Sequence, residues 1–187
     1  MNCTSIAHRR IAGQGIAIPR FDTPAGAVEW LGAVQAQDYL GALWAVGLRT
    51  RDANEQTVEA AIGAGQIVRT WPMRGTIHFV AAADARWMLR LLAPRVMRGA
   101  QSRLRQLEID EPLLARSAAV LEKALRDGKH LTRPALYGVL EEAGITAGGS
   151  RGLHILGQLA MQGLLVCKAN CGAAVAATAV SACGGDG

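Results

Sequence analysis

Apolar residues recur at helical spacing along most of the chain and alternate with polar residues in only one region. Before residue 65 this pattern predicts a short helix or irregular lead-in and then three helices: 6–20 for the lead-in, and 23–35, 39–48 and 57–64 for the helices. Thr23-Pro24 marks a helix start, because a threonine side chain caps free N–H groups and proline fits the first turn. We expect that helix to end near Val34 or Gln35 and the helix at 39–48 to be buried.

The alternating region predicts a β-hairpin. Ile67–Trp71 and Thr76–Val80 are rich in β-branched and aromatic residues, and the four residues 72–75 between them can turn. Three helices followed by a hairpin is the winged-helix plan.

A second set of helices follows and repeats this plan. We predict a helix from 85 that Pro94 halts, its continuation over 96–107, and helices over 113–125, 132–142 and 152–162 before a strand at 164–167. The predicted fold class is mainly α with small β-hairpins (α+β), arranged as tandem winged-helix domains. The expected domains are 1–112 with an appended basic helix, 113–171 with an incomplete wing, and a poorly ordered low-complexity tail at 172–187 that shows no returning strand.

Composition limits the possible classes of protein. The 187 residues are 50% hydrophobic, which suits globular cores, and no apolar run is long enough to cross a membrane. With no signal-peptide core at the N-terminus, we expect a cytoplasmic protein. Lys and Arg together number 20 against 15 Asp and Glu. This excess is consistent with polyanion binding, although arginine use in a GC-rich genome would give the same count.

Two segments are candidates for contact with nucleic acid. The helix after the hairpin carries six arginines and no acidic residue, which indicates either phosphate contact or an ordinary solvated surface: Arg86, Arg90, Arg95, Arg98, Arg103 and Arg105. The helix at 152–162 occupies the recognition position of a winged helix, where Ser150, Arg151, His154 and Gln158 would face a nucleic-acid backbone. Alternatively, this second module serves for packing and reads no DNA.

The cysteines give little support for a metal site. Cys167 and Cys171 are close in sequence, but the nearest preceding histidine is His154 and there is no second cysteine pair. We expect no metal and no cofactor.

Gln35 and Gln37 are two amides separated by one residue and followed by Asp38. Residues at i and i+2 lie nearly opposite each other on a helix but on the same side of an extended chain. The two side chains can therefore share a site only if the helix has already ended.

Three segments together resemble the winged-helix family of AlkZ-like and YcaQ-like DNA glycosylases. They are Leu31-Gly32-Ala33-Val34-Gln35-Ala36-Gln37-Asp38, Arg69-Thr70-Trp71-Pro72-Met73-Arg74-Gly75-Thr76-Ile77-His78 and Gly163-Leu164-Leu165-Val166-Cys167. The resemblance runs from about Ile6 to Cys167. It implies tandem winged helices that form a concave DNA-binding surface, and an enzyme that excises alkylated purines and unhooks some interstrand crosslinks. The implied partner is double-stranded DNA with alkylated purine lesions, in the cytoplasm at the nucleoid and not at a membrane.

The resemblance also implies roles for individual residues. Gln35 and Gln37 match the catalytic Gln-x-Gln pair of the family, where they would orient a water near the anomeric carbon. Asp38 lies one residue too late to match the family acid, and would supply negative charge or fix an amide. The family's other polar positions fall on Arg69, Arg74, Thr76 and His78. For the arginines a structural ion pair is the alternative, and for His78 a helix cap or a tie between the hairpin and the core.

The family resemblance further implies a third winged helix, and the sequence ends before one. Two functions therefore stay open. The first is a monofunctional DNA glycosylase, which loss of the third domain would inactivate. The second is a non-catalytic winged-helix module that binds DNA or protein. The sequence does not indicate the oligomeric state.

Overall fold

The computed structural model describes residues 3–168 and 176–179. Within these residues the chain forms eight α-helices, one short 3-10 helix and five strands. In chain order they are α1 (Cys3–Gly13), α2 (Pro24–Leu31), β1 (Val34–Gln35), α3 (Tyr39–Gly47), α4 (Glu55–Gly63), β2 (Ile67–Met73), β3 (Thr76–Ala81), α5 (Ala82–Gln106), α6 (Glu111–Ala124), the 3-10 helix (Arg126–Gly128), α7 (Arg133–Glu142), α8 (Arg151–Met161), β4 (Leu165–Lys168) and β5 (Ala176–Ala179).

The strands form one antiparallel sheet in the order β1-β3-β2-β4-β5. Helices account for most of the described residues, so the predicted class, mainly α with small β-hairpins, is confirmed. Helices α2, α3 and α4 precede the β2–β3 pair, and α6, α7 and α8 precede β4, which is the predicted order of these elements.

Helix α2 ends earlier than the sequence pattern suggested. Thr23 caps its start by accepting from the N–H of Gly26 at 3.1 Å, as expected. Its last residue is Leu31, because Gly32 adopts a left-handed backbone with φ of 73° and ends the helix three to four residues before the predicted position. The residues that follow are extended, and they include the Gln35–Gln37 segment.

Two further boundaries differ from the prediction. Helix α4 begins at Glu55 rather than Thr57, because Asn54 is its N-cap and Thr57 is the third helical residue of a capping box. The hairpin turn is tighter than 72–75. Arg74 and Gly75 alone form it, both with positive φ, which is the backbone that a two-residue hairpin turn requires.

Helix α5 is continuous through Pro94, so the prediction that this proline halts the helix is wrong. Pro94 lies on the exposed side, while Leu89 and Ala93 before it and Leu104 after it are buried. Packing on both sides of the proline holds the helix together despite the lost hydrogen bond. The carbonyl of Arg90, which Pro94 cannot bond, can tilt toward solvent.

One buried cluster joins the two halves of the chain. It includes Val28 and Phe79 from the first half and Leu121, Leu140 and Ile155 from the second. Strand β4 also pairs with β2, since Cys167 lies opposite Arg69. The predicted domain boundary near residue 112 stays a prediction, because shared packing does not by itself show where a domain ends.

The predicted absence of a returning strand in the second half is wrong. Ala176–Ala179 forms β5 and pairs with β4, with Ala179 opposite Leu165 and Ala176 opposite Lys168. Alternation of apolar and polar residues failed as a signal, because this strand consists almost entirely of alanine. The remainder of the predicted tail, 172–175 and 180–187, lies outside the described residues.

Helix α3 is only half buried, contrary to the prediction. Leu43 and Val46 pack in the core, whereas Leu40 and Trp44 are 63% and 70% exposed. No helix in the described ranges is both long enough and apolar enough to span a bilayer.

The position of Pro94 gives a test of the helix packing. We expect Pro94→Ala to raise the free energy of unfolding by about 1–3 kcal/mol, because the substitution restores an N–H to the carbonyl of Arg90 and removes the ring clash. Urea unfolding followed by circular dichroism measures the change. Pro134→Ala is the matched control, since Pro134 lies in the first turn of α7, where no hydrogen bond is lost. A Pro94→Ala protein less stable than the wild type would contradict this account of α5.

Candidate active site

Gln35 and Gln37 lie at the exposed edge of the sheet. Gln35 is the last residue of β1, Ala36 between them is fully buried, and both glutamines are exposed. This alternation is that of an extended chain and directs both amides away from the core. The helix ends before the pair, as a shared side for the two amides requires. That the two amides form one site stays a prediction.

One backbone hydrogen bond of the ladder between β1 and β3 is missing next to the two glutamines. The N–H of Ala36 donates to the carbonyl of Ile77 at 2.8 Å, as in a regular antiparallel ladder. The reciprocal bond is replaced: the N–H of Ile77 donates instead to Oε1 of Gln37 at 3.3 Å. The side chain of Gln37 thus takes the place of a backbone carbonyl, which fixes its amide oxygen and leaves its NH₂ group to donate elsewhere.

Arg69 explains why the carbonyl of Ala36 does not accept from Ile77. Its Nε and Nη2 donate to the carbonyl oxygen of Ala36 at 3.2 and 2.7 Å. Arg69 belongs to β2, which is separated from β1 by β3. Its rigid guanidinium reaches past β3 and donates two N–H groups to this oxygen, so the carbonyl is no longer available to Ile77. The segment between the two glutamines is therefore positioned by a residue 33 positions later in the chain.

The guanidinium of Arg69 is itself held from several sides. It stacks over the ring of Tyr39 with 5.3 Å from Cζ to the ring centroid, and the hydroxyl of Tyr39 donates to Oε1 of Glu59 at 3.2 Å. Burial lowers the pKa of Arg69, but an arginine remains charged near neutral pH. Its partners are a carbonyl and an aromatic ring, so the ion-pair alternative for Arg69 is wrong within the described residues.

Asp38 caps helix α3. Its Oδ1 accepts from the N–H of Gly41 at 3.3 Å, and its backbone is extended, as at other N-caps. This bond orients the carboxylate toward the start of the helix. Its predicted influence on the amide pair stays a prediction.

Three polar residues lie side by side across β1, β3 and β2: Gln35, His78 and Thr70. His78 pairs with Gln35 on one side and with Thr70 on the other, and directly paired residues of antiparallel strands project to the same face. His78 is 4% exposed and its Nδ1 lies 2.9 Å from the carbonyl oxygen of Thr76. Burial is the main cause that lowers the pKa of His78; the bond to Thr76 raises this pKa and the charge of Arg74 lowers it further.

Thr70 is the member of this row that sequence reasoning missed. It is fully buried, and its hydroxyl has no hydrogen-bond partner within the described residues. The hydroxyl of Thr76 is a second buried polar atom without a partner there. Thr70 lies inside the Arg69–His78 motif quoted above. It becomes a candidate site residue only because it pairs with His78, and the sequence does not show which residues of the two strands are paired.

Arg74 and Thr76 lie at the turn of the β2–β3 hairpin and differ in exposure. Arg74 is exposed at the hairpin turn and forms no ion pair within the described part of the chain. Thr76 is half buried and shares the face of His78, as predicted from strand alternation. Ile77 and Phe79 are buried on the opposite face, again as predicted.

The six arginines of the basic helix all fall on α5, but they do not form one face. At 3.6 residues per turn their positions are spread around most of the helix. Arg86 and Arg90, one turn apart, line a groove of about 980 Å³ between α5, the 3-10 helix and the α8–β4 turn, whose rim also includes Glu122, Arg126 and Asp127. Arg103 instead bonds Ser150 and Gln106.

Helix α8 is mostly packed rather than presented to solvent. Gln158 is 3% exposed, so its predicted contact with a nucleic-acid backbone is wrong. Arg151 donates to the carbonyls of Leu107 and Glu108 at 2.5 and 3.0 Å, and thereby caps the end of α5. His154 is half buried with its Nδ1 2.7 Å from the carbonyl oxygen of Ser150. Among these residues, Ser150 remains exposed.

No group of three or more His, Cys, Asp or Glu side chains in the described residues could hold a metal ion. Cys171 lies outside those residues, and the hydrogen-bonded contacts at the amide pair come from amides, a guanidinium and backbone groups.

Comparison with known proteins identifies the family of this chain. The model of the AlkZ-like DNA glycosylases matches residues 28–182. The chain belongs to the AlkZ-like DNA glycosylase family. The match extends past Cys167, where the resemblance read from the sequence ended, and includes the segment that forms β5.

A solved structure supports this assignment. The DNA glycosylase AlkZ of Streptomyces sahachiroi superposes with a TM-score of 0.70 at 25% sequence identity, covering 92% of this chain. The chain spans 47% of the length of that protein. The comparison with curated proteins gives no significant match.

The bonds of Arg69 predict a specific loss of stability. Arg69→Met removes both bonds to the carbonyl of Ala36 and the stacking on Tyr39, so we expect the free energy of unfolding to fall by about 2–3 kcal/mol. Chemical denaturation measures this change. Arg74→Met is the matched control at an exposed position of the same hairpin, with an expected change within about 0.5 kcal/mol. Equal stability of the two variants would show that the Ala36 contact does not stabilise the fold.

Proposed function

We propose that this chain is a DNA-binding protein that hydrolyses the N-glycosidic bond of alkylated purines in double-stranded DNA. The observation that carries the proposal is the exposed Gln35–Gln37 pair in a member of the AlkZ-like DNA glycosylase family: Arg69 binds the carbonyl of Ala36 between the two glutamines, and the N–H of Ile77 binds the amide oxygen of Gln37. Such an enzyme would work in the cytoplasm at the nucleoid. The winged-helix arrangement of the two halves is part of the same proposal.

The reaction suits a pair of amides. A purine alkylated at N3 or N7 is cationic and leaves as a neutral base, so the protein mainly has to place a water and stabilise the developing sugar cation. Gln37 uses its oxygen to accept from Ile77, so its NH₂ group is the part that can donate to a water. Gln35 makes no hydrogen bond to the described residues, and its oxygen can accept from the same water. One amide then donates to the water and the other accepts from it, which orients a lone pair toward the anomeric carbon.

The remaining site residues support this pair. Arg69 acts through the backbone between the glutamines, and Asp38 fixes the start of α3 directly after them. Thr76 and His78 lie on β3 behind Gln35, and Arg74 extends from the turn toward solvent, where a DNA phosphate could approach. Arg151 and His154 are proposed to maintain the packing of α8, and phosphate contact is assigned to Arg86 and Arg90.

The second candidate function is DNA binding without catalysis. Its supporting observation is the exposed arginines of α5, with no acidic residue between Ala85 and Leu107. Such a surface attracts phosphates whether or not a base is excised. A protein-interaction module is favoured instead by the exposed Leu40 and Trp44 on α3.

The glycosylase proposal is tested with a duplex containing 7-methylguanine. We expect the wild-type protein to generate abasic sites, scored as strand breaks after alkali, and the double variant Gln35→Ala/Gln37→Ala to lose at least about 10²-fold in single-turnover rate through misplacement of the water. Gln101→Ala on the exposed side of α5 is the matched amide control and should retain the wild-type rate. Absence of abasic sites, with a full-length family member active in parallel, would refute the enzymatic function of this chain.

The DNA-binding component is tested by the salt dependence of affinity. We expect binding to undamaged duplex to weaken steeply with salt, and Arg86→Gln/Arg90→Gln to reduce the slope of log affinity against log salt by about 1–2, one unit for each lost phosphate contact. Arg51→Gln is the control, because Arg51 is exposed but already paired with Asp22. Unchanged slopes in all three proteins would exclude the α5 arginines from the DNA interface, and no binding at low salt would exclude both candidate functions.

A further inference from the structure

His78 is oriented as a proton acceptor. A backbone carbonyl can only accept a hydrogen bond, so the contact of Nδ1 with the carbonyl of Thr76 places the ring proton on Nδ1. The other nitrogen, Nε2, then carries the lone pair and makes no hydrogen bond to the described residues. The imidazole of a neutral, nearly buried histidine is thus held with its basic nitrogen available.

The pairing of strands brings this imidazole next to Gln35. Ala36 and Ile77 occupy the position of a hydrogen-bonded pair, so Gln35 and His78 form the adjoining non-hydrogen-bonded pair, in which side chains approach more closely. The Cβ atoms of such a pair lie about 4.5–5.5 Å apart. His78 therefore lies directly across the strand pair from Gln35, on the same face of the sheet.

The hydroxyl of Thr70 completes the row. Thr70 is paired directly with His78 on the opposite side, is fully buried, and has no partner for its oxygen within the described residues. A buried hydroxyl without a partner is unfavourable, and here it offers lone pairs on the face where the imidazole lies. Its dipole can stabilise a positive charge on His78 across the strand pair, although no hydrogen bond joins the two side chains within the described residues.

Resting on the proposed glycosylase function, we propose that His78 accepts the proton of the attacking water and that Thr70 is a positioning residue for the resulting imidazolium. The water oxygen bonds to C1′ while the C1′–N9 bond breaks and its electron pair neutralises the cationic purine. One proton of the water passes to Nε2 of His78 and then to solvent. Neither glutamine could take this proton, because a neutral amide is not an effective base.

The surroundings of His78 define the direction of the pH dependence. Gln35 and Thr70 on the neighbouring strands are uncharged, and α5 contributes the apolar Ala85 and Met88 to this face of the sheet. Arg74 is the charged group that acts on the histidine, and burial and this charge both lower the pKa of His78. The neutral, accepting form therefore persists below the ordinary histidine pKa of about 6.5, and activity is lost as the pH falls through the lowered value.

The first test measures single-turnover excision of 7-methylguanine against pH. We expect the wild-type rate to level off above a midpoint that lies below about 6.5, and His78→Gln, which can still donate to the carbonyl of Thr76, to be slower by about 10²-fold at neutral pH with no such midpoint. If the wild-type protein excises the base and His78→Gln keeps the same pH dependence, the role of His78 is overturned while the glycosylase proposal stands.

The second test separates the role of Thr70 from folding. Thr70→Val removes a hydroxyl that has no partner in the resting state, so we expect its Tm to be no lower than that of the wild type. We expect its maximal rate to fall and its pH midpoint to move lower, because the imidazolium loses the nearby dipole of the hydroxyl. Thr70→Ser should restore both. A Thr70→Val protein with wild-type rate and midpoint would exclude the positioning role.

A binding measurement makes the proposal testable without turnover. A duplex with a cationic pyrrolidine in place of one deoxyribose mimics the developing sugar cation, and tetrahydrofuran is the neutral control. We expect the wild type to prefer pyrrolidine, with a preference that falls as His78 becomes cationic, and His78→Gln to show a preference independent of pH. If the wild type neither binds these duplexes nor excises the base, the proposed function fails and the role of His78 fails with it.

Discussion

The contact between Arg69 and the carbonyl of Ala36 is the interaction on which the candidate site depends. This carbonyl would ordinarily bond Ile77 and extend the sheet regularly to its edge strand. Because the guanidinium takes it with two N–H groups, the N–H of Ile77 needs another acceptor, and Gln37 supplies one from its side chain. A partly buried arginine thus replaces one hydrogen bond of the sheet ladder with a bond to the side chain of Gln37. Stacking on Tyr39 keeps the guanidinium in place on the core side of the sheet.

The proposed chemistry fits a site with no carboxylate beside the anomeric carbon. Glycoside hydrolases that act on neutral sugars use two carboxylates, one of which protonates the leaving group. An alkylated purine is already cationic, so that acid is unnecessary and a weakly basic site is sufficient. The carboxylate closest to the pair in sequence, Asp38, is used in capping α3, whereas Nε2 of His78, across the strand pair from Gln35, makes no hydrogen bond to the described residues. The row Gln35–His78–Thr70 therefore runs from the exposed edge, where DNA would approach, to a fully buried hydroxyl.

Composition does not distinguish the arginines that hold the fold together from those on the surface. Four arginines bind backbone carbonyls within the described residues: Arg49 those of Gln14 and Ala45, Arg69 that of Ala36, Arg116 that of Ala143, and Arg151 those at the end of α5. These four connect segments that are distant in sequence, as their side chains offer several donors in a rigid plane. The arginines of α5 are exposed instead, and apart from Arg103, which bonds Ser150 and Gln106, they make no side-chain bond to the described residues. Part of the excess positive charge is therefore structural, and the net charge of +5 overstates the surface available to DNA.

The sequence alone determined the features that depend on local chemistry. Thr23-Pro24 set the start of α2, alternation over 76–79 assigned Thr76 and His78 to one face and Ile77 and Phe79 to the other, and three short motifs identified the family. Where packing competes with local preference, the sequence was insufficient. Pro94 lies inside a continuous helix because residues on both sides of it are buried, Gln158 faces inward, and an alanine-rich strand pairs with β4. The amide pair at 35 and 37 was visible in the sequence, but its fixation by Arg69 and its proximity to His78 and Thr70 were decided by the tertiary structure, because strand pairing joins residues that are 33 to 43 positions apart.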